Sequence, residues 1–138
     1  MSRSGYSDEC GTWDLIRWRG QVASAIRGRR GQAFLRDLLE ALDAMPVKRL
    51  IDYELESDGE YCTLGVLGAR RGLDMAKIDA DDRTQVAAAF GIAQQLAAEI
   101  EFMNDDYWLG EIPEARWARM REWVASQISE DAAMSRSQ

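Results

Sequence analysis

The chain contains no histidine and only two cysteines, Cys10 and Cys62, whose spacing fits neither a zinc site nor a redox pair. The side chains that most often bind metals or shuttle protons near neutral pH are therefore missing. What remains for chemistry is carboxylate and guanidinium. Carboxylates gather twice, as Asp79, Asp81 and Asp82, and as Glu99, Glu101, Asp105, Asp106 and Glu111. Oxygen sets of this kind hold Mg²⁺ in nucleases and phosphohydrolases, but neither cluster has motif spacing. The first reads as the capped start of a helix and the second as a solvated face. No catalytic residue, metal or cofactor is expected, and a metal-dependent hydrolase stands as the enzymatic alternative. Cys62 reads as a small buried apolar side chain.

Arginines make two further candidates. Arg27, Arg29 and Arg30 surround the turn Gly28 to Gly31, directly before a helix whose free N–H groups and dipole favour anions, so they form an anion-binding candidate. Trp123 shares a helical face with Arg116 and Arg119, turned away from the stripe Trp117, Met120 and Val124. A tryptophan exposed beside arginines has the composition of an interface hot spot, which makes these three the partner-binding candidate.

The elements that must carry these residues are helical. Gln32 to Met45 places Phe34, Leu35, Leu38, Ala41, Leu42 and Met45 on one side and Arg36, Asp37, Glu40 and Asp43 on the other. So wide a stripe touches several neighbours, which puts this helix at the centre of the fold. Before it, Leu15, Trp18, Val22 and Ile26 predict a helix from Trp13 to Arg27, capped by Thr12 and joined to the central helix as an antiparallel pair by a four-residue turn. Met45-Pro46 ends the central helix.

Residues 49–71 admit two readings. Alternation of Ile51, Tyr53 and Leu55 around Asp58-Gly59 fits a hairpin, whereas Cys62, Val66 and Ala69 make a helical face with Gly65 and Gly68 weakening a second strand. The expectation is two short helices, with a small β-hairpin near residues 50–67 as the alternative. Asp82 and Gln85 stand at capping-box spacing before a single helix from Arg83 to Met103. The same stretch fits the apolar template of a helix-turn-helix through Val86, Ala87, Phe90, Gly91, Ile92, Ala97 and Ile100, yet its second half has Gln94 and Gln95 against Glu99 and Glu101 and no cation to reach a phosphate. Asn104 ends it, and Pro113 opens a last helix with Trp117, Met120, Val124 and Ile128 inward.

The expected fold is an all-α single compact domain of about five or six helices over residues 12–128, with a flexible N-terminal segment 1–11 and a disordered tail 129–138. Net charge is −7, unevenly placed: residues 1–36 hold seven arginines against Asp8, Glu9 and Asp14, a balance of +4, which leaves −11 on the remainder. An acidic body argues against a whole-surface nucleic-acid binder, while its basic N-terminal region keeps nucleic acid as a partner to test. The apolar run at Val86 to Ala93 is too short to span a bilayer, and MSRSGYSDEC lacks a secretory core, so no membrane association is expected. Apolar helical faces on so small a chain leave a homodimer open.

The stretches WDLIRWRGQVASAIRGRRGQAFLRDLLEALDAMPVKRLI, VAAAFGIAQQLAAEIEFMND and PEARWARMREWV resemble a family of short uncharacterised proteins encoded by tailed bacteriophages and prophages of Gram-negative bacteria. The resemblance supplies no activity, cofactor or catalytic residue. It implies helix across Cys62 to Gly68, where relatives are alanine-rich, and a setting in the cytoplasm of an infected bacterial host. In that setting the expectation is an accessory protein, not an enzyme, that binds a host or phage protein complex and inhibits a host defence such as a CRISPR effector. A nucleic-acid-binding regulator, using the helix-turn-helix-like segment or the arginine-rich anion site, is the alternative.

Overall fold

A computed structural model of the chain describes residues 12–108 and 110–129. The expected N-terminal segment 1–11, with Cys10, and all of the expected tail except Ser129 lie outside the described residues. Within them the fold is all-α with one two-stranded hairpin: α1 (Thr12–Arg27), α2 (Arg29–Asp43), β1 (Glu56–Ser57), β2 (Glu60–Tyr61), α3 (Thr63–Arg70), a 3₁₀ turn at Met75–Lys77, α4 (Arg83–Phe90), α5 (Gln94–Asp105) and α6 (Pro113–Gln127).

The stripe of α2 is buried as its periodicity predicts, with Leu35, Leu38 and Leu42 fully enclosed and Phe34 and Ala41 nearly so. Each such leucine contributes on the order of 2 kcal/mol by leaving water. Helix α2 packs on α1, α3 and α6, but it shares the centre with α5, which packs on α1, α3, α4 and α6. Helix α6 runs antiparallel to α2: the Trp117 indole donates to the Leu42 carbonyl (3.2 Å) at one end, and Gln32 donates to the Gln127 carbonyl (3.0 Å) at the other.

Four expectations are corrected. Helices α1 and α2 are separated by Gly28 alone, so Gly31 lies inside the first turn of α2. A Cβ on Gly31 would stand 1.9 Å from the Ala25 carbonyl oxygen, which makes glycine obligatory for that close passage. Leu15 is not on the buried face of α1: it is 51% exposed, beside the exposed Trp13 and Ile16, and only Val22 is enclosed. Residues 49–55 are not helical. The Asp58-Gly59 signal does make a hairpin, pairing Glu56 with Tyr61 and Ser57 with Glu60, and a helix follows it directly. Cys62 is buried as expected and also caps that helix, its Sγ accepting from the Gly65 amide (3.4 Å).

The fourth concerns residues 83–103, which do not form one helix. Asp82 caps the amide of Gln85 as its spacing predicts (3.1 Å), but Gly91 at φ +68° ends α4 and α5 restarts at Gln94. The left-handed residue is the helix stop, and the alanine-rich flanks do not override it. All the buried positions of the helix-turn-helix template, Val86, Ala87, Phe90, Ile92, Ala97 and Ile100, are in the core.

Candidate functional site

Asn104, at the C-terminal end of α5, is 1% exposed and is the hub of a polar network that organises one end of the molecule. Its Oδ1 accepts from the Thr63 amide (3.0 Å) and the Thr63 hydroxyl (2.7 Å), and its Nδ2 donates to the Ile51 carbonyl (3.0 Å) and to Asp105 Oδ1 (2.8 Å). Asp105 in turn accepts from the Tyr53 amide (3.0 Å). One side chain thus pins the start of α3 and the loop 50–55 against α5. A buried network is stabilising when its members are partnered, and here three of the bonds hold backbone, at Ile51, Tyr53 and Thr63.

The network holds Tyr53 in a costly conformation. Its φ is +63°, the left-handed region that a bulky side chain rarely adopts, at a cost of about 1–2 kcal/mol. The phenol donates to Asp106 Oδ1 (3.0 Å) while the residue remains 43% exposed. The Asp106 carboxylate accepting its proton, together with partial burial and the neighbouring negative charges, holds the Tyr53 hydroxyl above its usual value of 10.0. Beside it Tyr107, Trp108 and Ile112 are 55%, 62% and 63% exposed. Residues 50–55, 105–108 and 110–113 therefore expose aromatic and apolar side chains around this network. The sequence does not single out Tyr53, Tyr107 or Trp108, because exposure and positive φ are products of the fold. The run Asp105-Asp106-Tyr107-Trp108, acids followed by aromatics between two helices, is the signal that was available.

The partner-binding candidates fall at this end and in part change role. Arg116 is not exposed: it is 4% accessible, and its guanidinium donates to the carbonyls of Asn104 (3.1 Å), Leu50 (2.9 Å) and Glu111 (3.1 Å). Arg119 is chelated by Glu111 through two bonds (2.8 and 2.9 Å) and lies 5.4 Å from the centre of the Tyr107 ring. Both arginines are scaffolding beneath the face. Trp123, expected exposed, is half-buried and packs on the edge of the core. The helical wheel cannot show that Glu111 and Tyr107, in the loop after α5, cover the arginines.

The second carboxylate cluster is likewise not a solvated face. Glu99, Glu101 and Asp105 are buried, and Glu99 receives both amino groups of Arg19 (2.6 and 2.8 Å), joining α1 to α5. Among the described residues no three His, Cys, Asp or Glu side chains are placed so that they could hold a metal ion together.

The anion-binding candidates lie elsewhere. Arg29 and Arg30 line a cleft of about 260 Å³ together with Gly28, Gly31, Ile92 and Ala93, while Arg27 is exposed and outside its lining. The cleft sits between the starts of α2 and α5, neither of which has a side-chain cap. The α5 half of the helix-turn-helix-like unit is enclosed from Leu96 to Glu101 and carries no basic residue. None of the described helices is long and apolar enough to cross a membrane. No protein-family model, curated protein or solved structure matches the chain.

Proposed function

We propose that this protein acts by binding another protein through the aromatic end formed by Tyr53, Tyr107, Trp108 and Ile112, and that it performs no chemistry of its own. The observation that carries the reading is Tyr53. A fold that holds a tyrosine at φ +63° with two polar anchors, and leaves its ring at the surface beside two more exposed aromatics, bears a cost that its own packing does not repay. Such a cost is explained when the ring is placed for a partner. The resemblance to proteins of phages and prophages supports the setting: an accessory protein in the cytoplasm of an infected bacterium, whose partner is a host or phage complex. Inhibition of a defence complex such as a CRISPR effector is the concrete form of that role.

The experiment is capture from infected and uninfected host lysate, with and without nuclease, comparing the wild-type chain with Tyr107→Ala and Trp108→Ala. A stoichiometric protein that survives nuclease and is lost from both variants supports the reading. Capture unaffected by either substitution removes the aromatic end as the interface.

The cleft at Arg29 and Arg30 favours a second reading, a regulator that holds a nucleic-acid backbone between the starts of α2 and α5. It requires duplex binding that weakens steeply with salt and is abolished by Arg29→Glu with Arg30→Glu.

A further inference from the structure

The loops that build the aromatic end, 50–55 and 105–113, contain five carboxylates, Asp52, Glu54, Asp105, Asp106 and Glu111, and neither lysine nor arginine. Among the described residues, Arg116 and Arg119 of α6 reach them and face inward. Arg119 is taken up by Glu111, and Arg116 donates to three carbonyls with Asp52 at 3.6 Å. Asp105 is buried in the Asn104 network, which leaves Asp52, Glu54 and Asp106 as the other carboxylates of the two loops. The Asp52 side chain is 45% exposed and Glu54 is open to solvent. Asp106 accepts from Tyr53 through Oδ1, and its Oδ2 is buried, so the charge that meets solvent here is that of Asp52 and Glu54. Exposed negative charge therefore flanks the exposed ring of Tyr53, whose hydroxyl is bonded to the residue before Tyr107.

We infer that the occupant of this face is a cationic, arginine-bearing segment of a partner protein. The inference rests on the reading of the aromatic end as a docking surface and adds the chemistry of what docks there. An apolar segment would strip water from Asp52 and Glu54 without replacing their hydrogen bonds, and a nucleic-acid backbone would meet like charge. A guanidinium satisfies both demands, pairing with carboxylate through its edge and stacking on an aromatic ring through its face. The inner side of Tyr107 already accepts Arg119 in that manner. The exposed rings of Tyr53 and Trp108 offer the same contact outward.

The test uses capped synthetic peptides of alternating arginine and glycine, with lysine–glycine and glutamate–glycine counterparts, titrated against the full chain. Binding is read from the indole N–H resonance of Trp108, assigned by its loss in Trp108→Phe. The arginine peptide should shift that resonance, bind more tightly than the lysine peptide, and weaken about tenfold between low and roughly 0.3 M salt. The glutamate peptide should leave the resonance unmoved. Asp52→Asn with Glu54→Gln should weaken the arginine peptide about fivefold, and Trp108→Ala by a similar factor. All three positions are solvent-accessible, so the fold is retained. Arginine-peptide binding that leaves Trp108 unmoved, that ignores both substitutions, or that the glutamate peptide matches overturns the inference. The same variants in the lysate capture separate the two ideas. A partner lost with Trp108→Ala but kept with Asp52→Asn and Glu54→Gln leaves the docking surface standing and overturns its cationic occupant. A partner kept by Trp108→Ala and Tyr107→Ala overturns the docking surface itself.

Discussion

Arg116 illustrates how much a single side chain can hold when its charge is spent on backbone. Three carbonyls from α5, the loop before β1 and the turn before α6 converge on its guanidinium, so Arg116→Met leaves three buried acceptors without donors. Urea unfolding should show a loss of about 3 kcal/mol, and Arg116→Lys should recover little of it because one ammonium cannot reproduce the planar fork. Tyr53 offers a test by titration. Its raised hydroxyl pKa means that the neutral phenol is favoured in the fold, so this stabilisation is complete below the ordinary value of 10.0 and is lost as the pH rises through the folded value. Spectrophotometric titration should find one tyrosine ionising later than a free phenol, and Asp106→Asn should return it toward the ordinary value. Neither residue's situation could be read from the sequence. Arginine and carboxylate are surface types on average, and the pairing that buries Arg116, Glu99 and Asp105 joins positions far apart in the chain.

The elements were more legible than their breaks. The stripe of α2, the cap at Asp82 and the opening of α6 at Pro113 are local patterns, and local patterns survive into the fold. The division between α4 and α5 was visible at Gly91, but alanine-rich flanks with continuous apolar spacing favoured one helix. Only packing shows that α5 must turn to cover α1, α3 and α6. Two glycines separate the kinds of cost a Cβ carries. At Gly91, with φ +68° and nothing within 4 Å of the added atom, Gly91→Ala meets only the backbone penalty, about 1 kcal/mol. At Gly65 the added atom would stand 1.8 Å from the Leu55 carbonyl oxygen, so Gly65→Ala must displace the hairpin from α3 and should cost several times as much, roughly 3 kcal/mol or more. Denaturant midpoints of the two variants, measured side by side, check the ranking.

At the scale of the molecule, charge is arranged along α6 and α2. Arg121 donates to Asp43 through two bonds (2.9 and 3.2 Å), and that hydrogen bonding, with the nearby cation, holds the Asp43 carboxyl below its ordinary value of 3.8. A depressed carboxylate contributes stability above its unfolded pKa and loses it as the pH falls through the folded value. Thermal melts of the wild type and Arg121→Ala should therefore differ slightly at neutral pH and converge in acid; both side chains are partly in solvent, so the difference is small. At the far end of the same helix pair, Gln32 closes the structure. Its amide donates to the carbonyls of Ile26 (2.7 Å) and Gln127 (3.0 Å) and accepts from the Ser129 amide (2.7 Å). The clip fixes where the described chain leaves α6, one helix length, about 22 Å, from the aromatic end. A fluorophore, affinity handle or second domain joined after Ser129 therefore starts at the opposite pole from Trp108. The molecule can be tethered to a surface with its aromatic end facing outward.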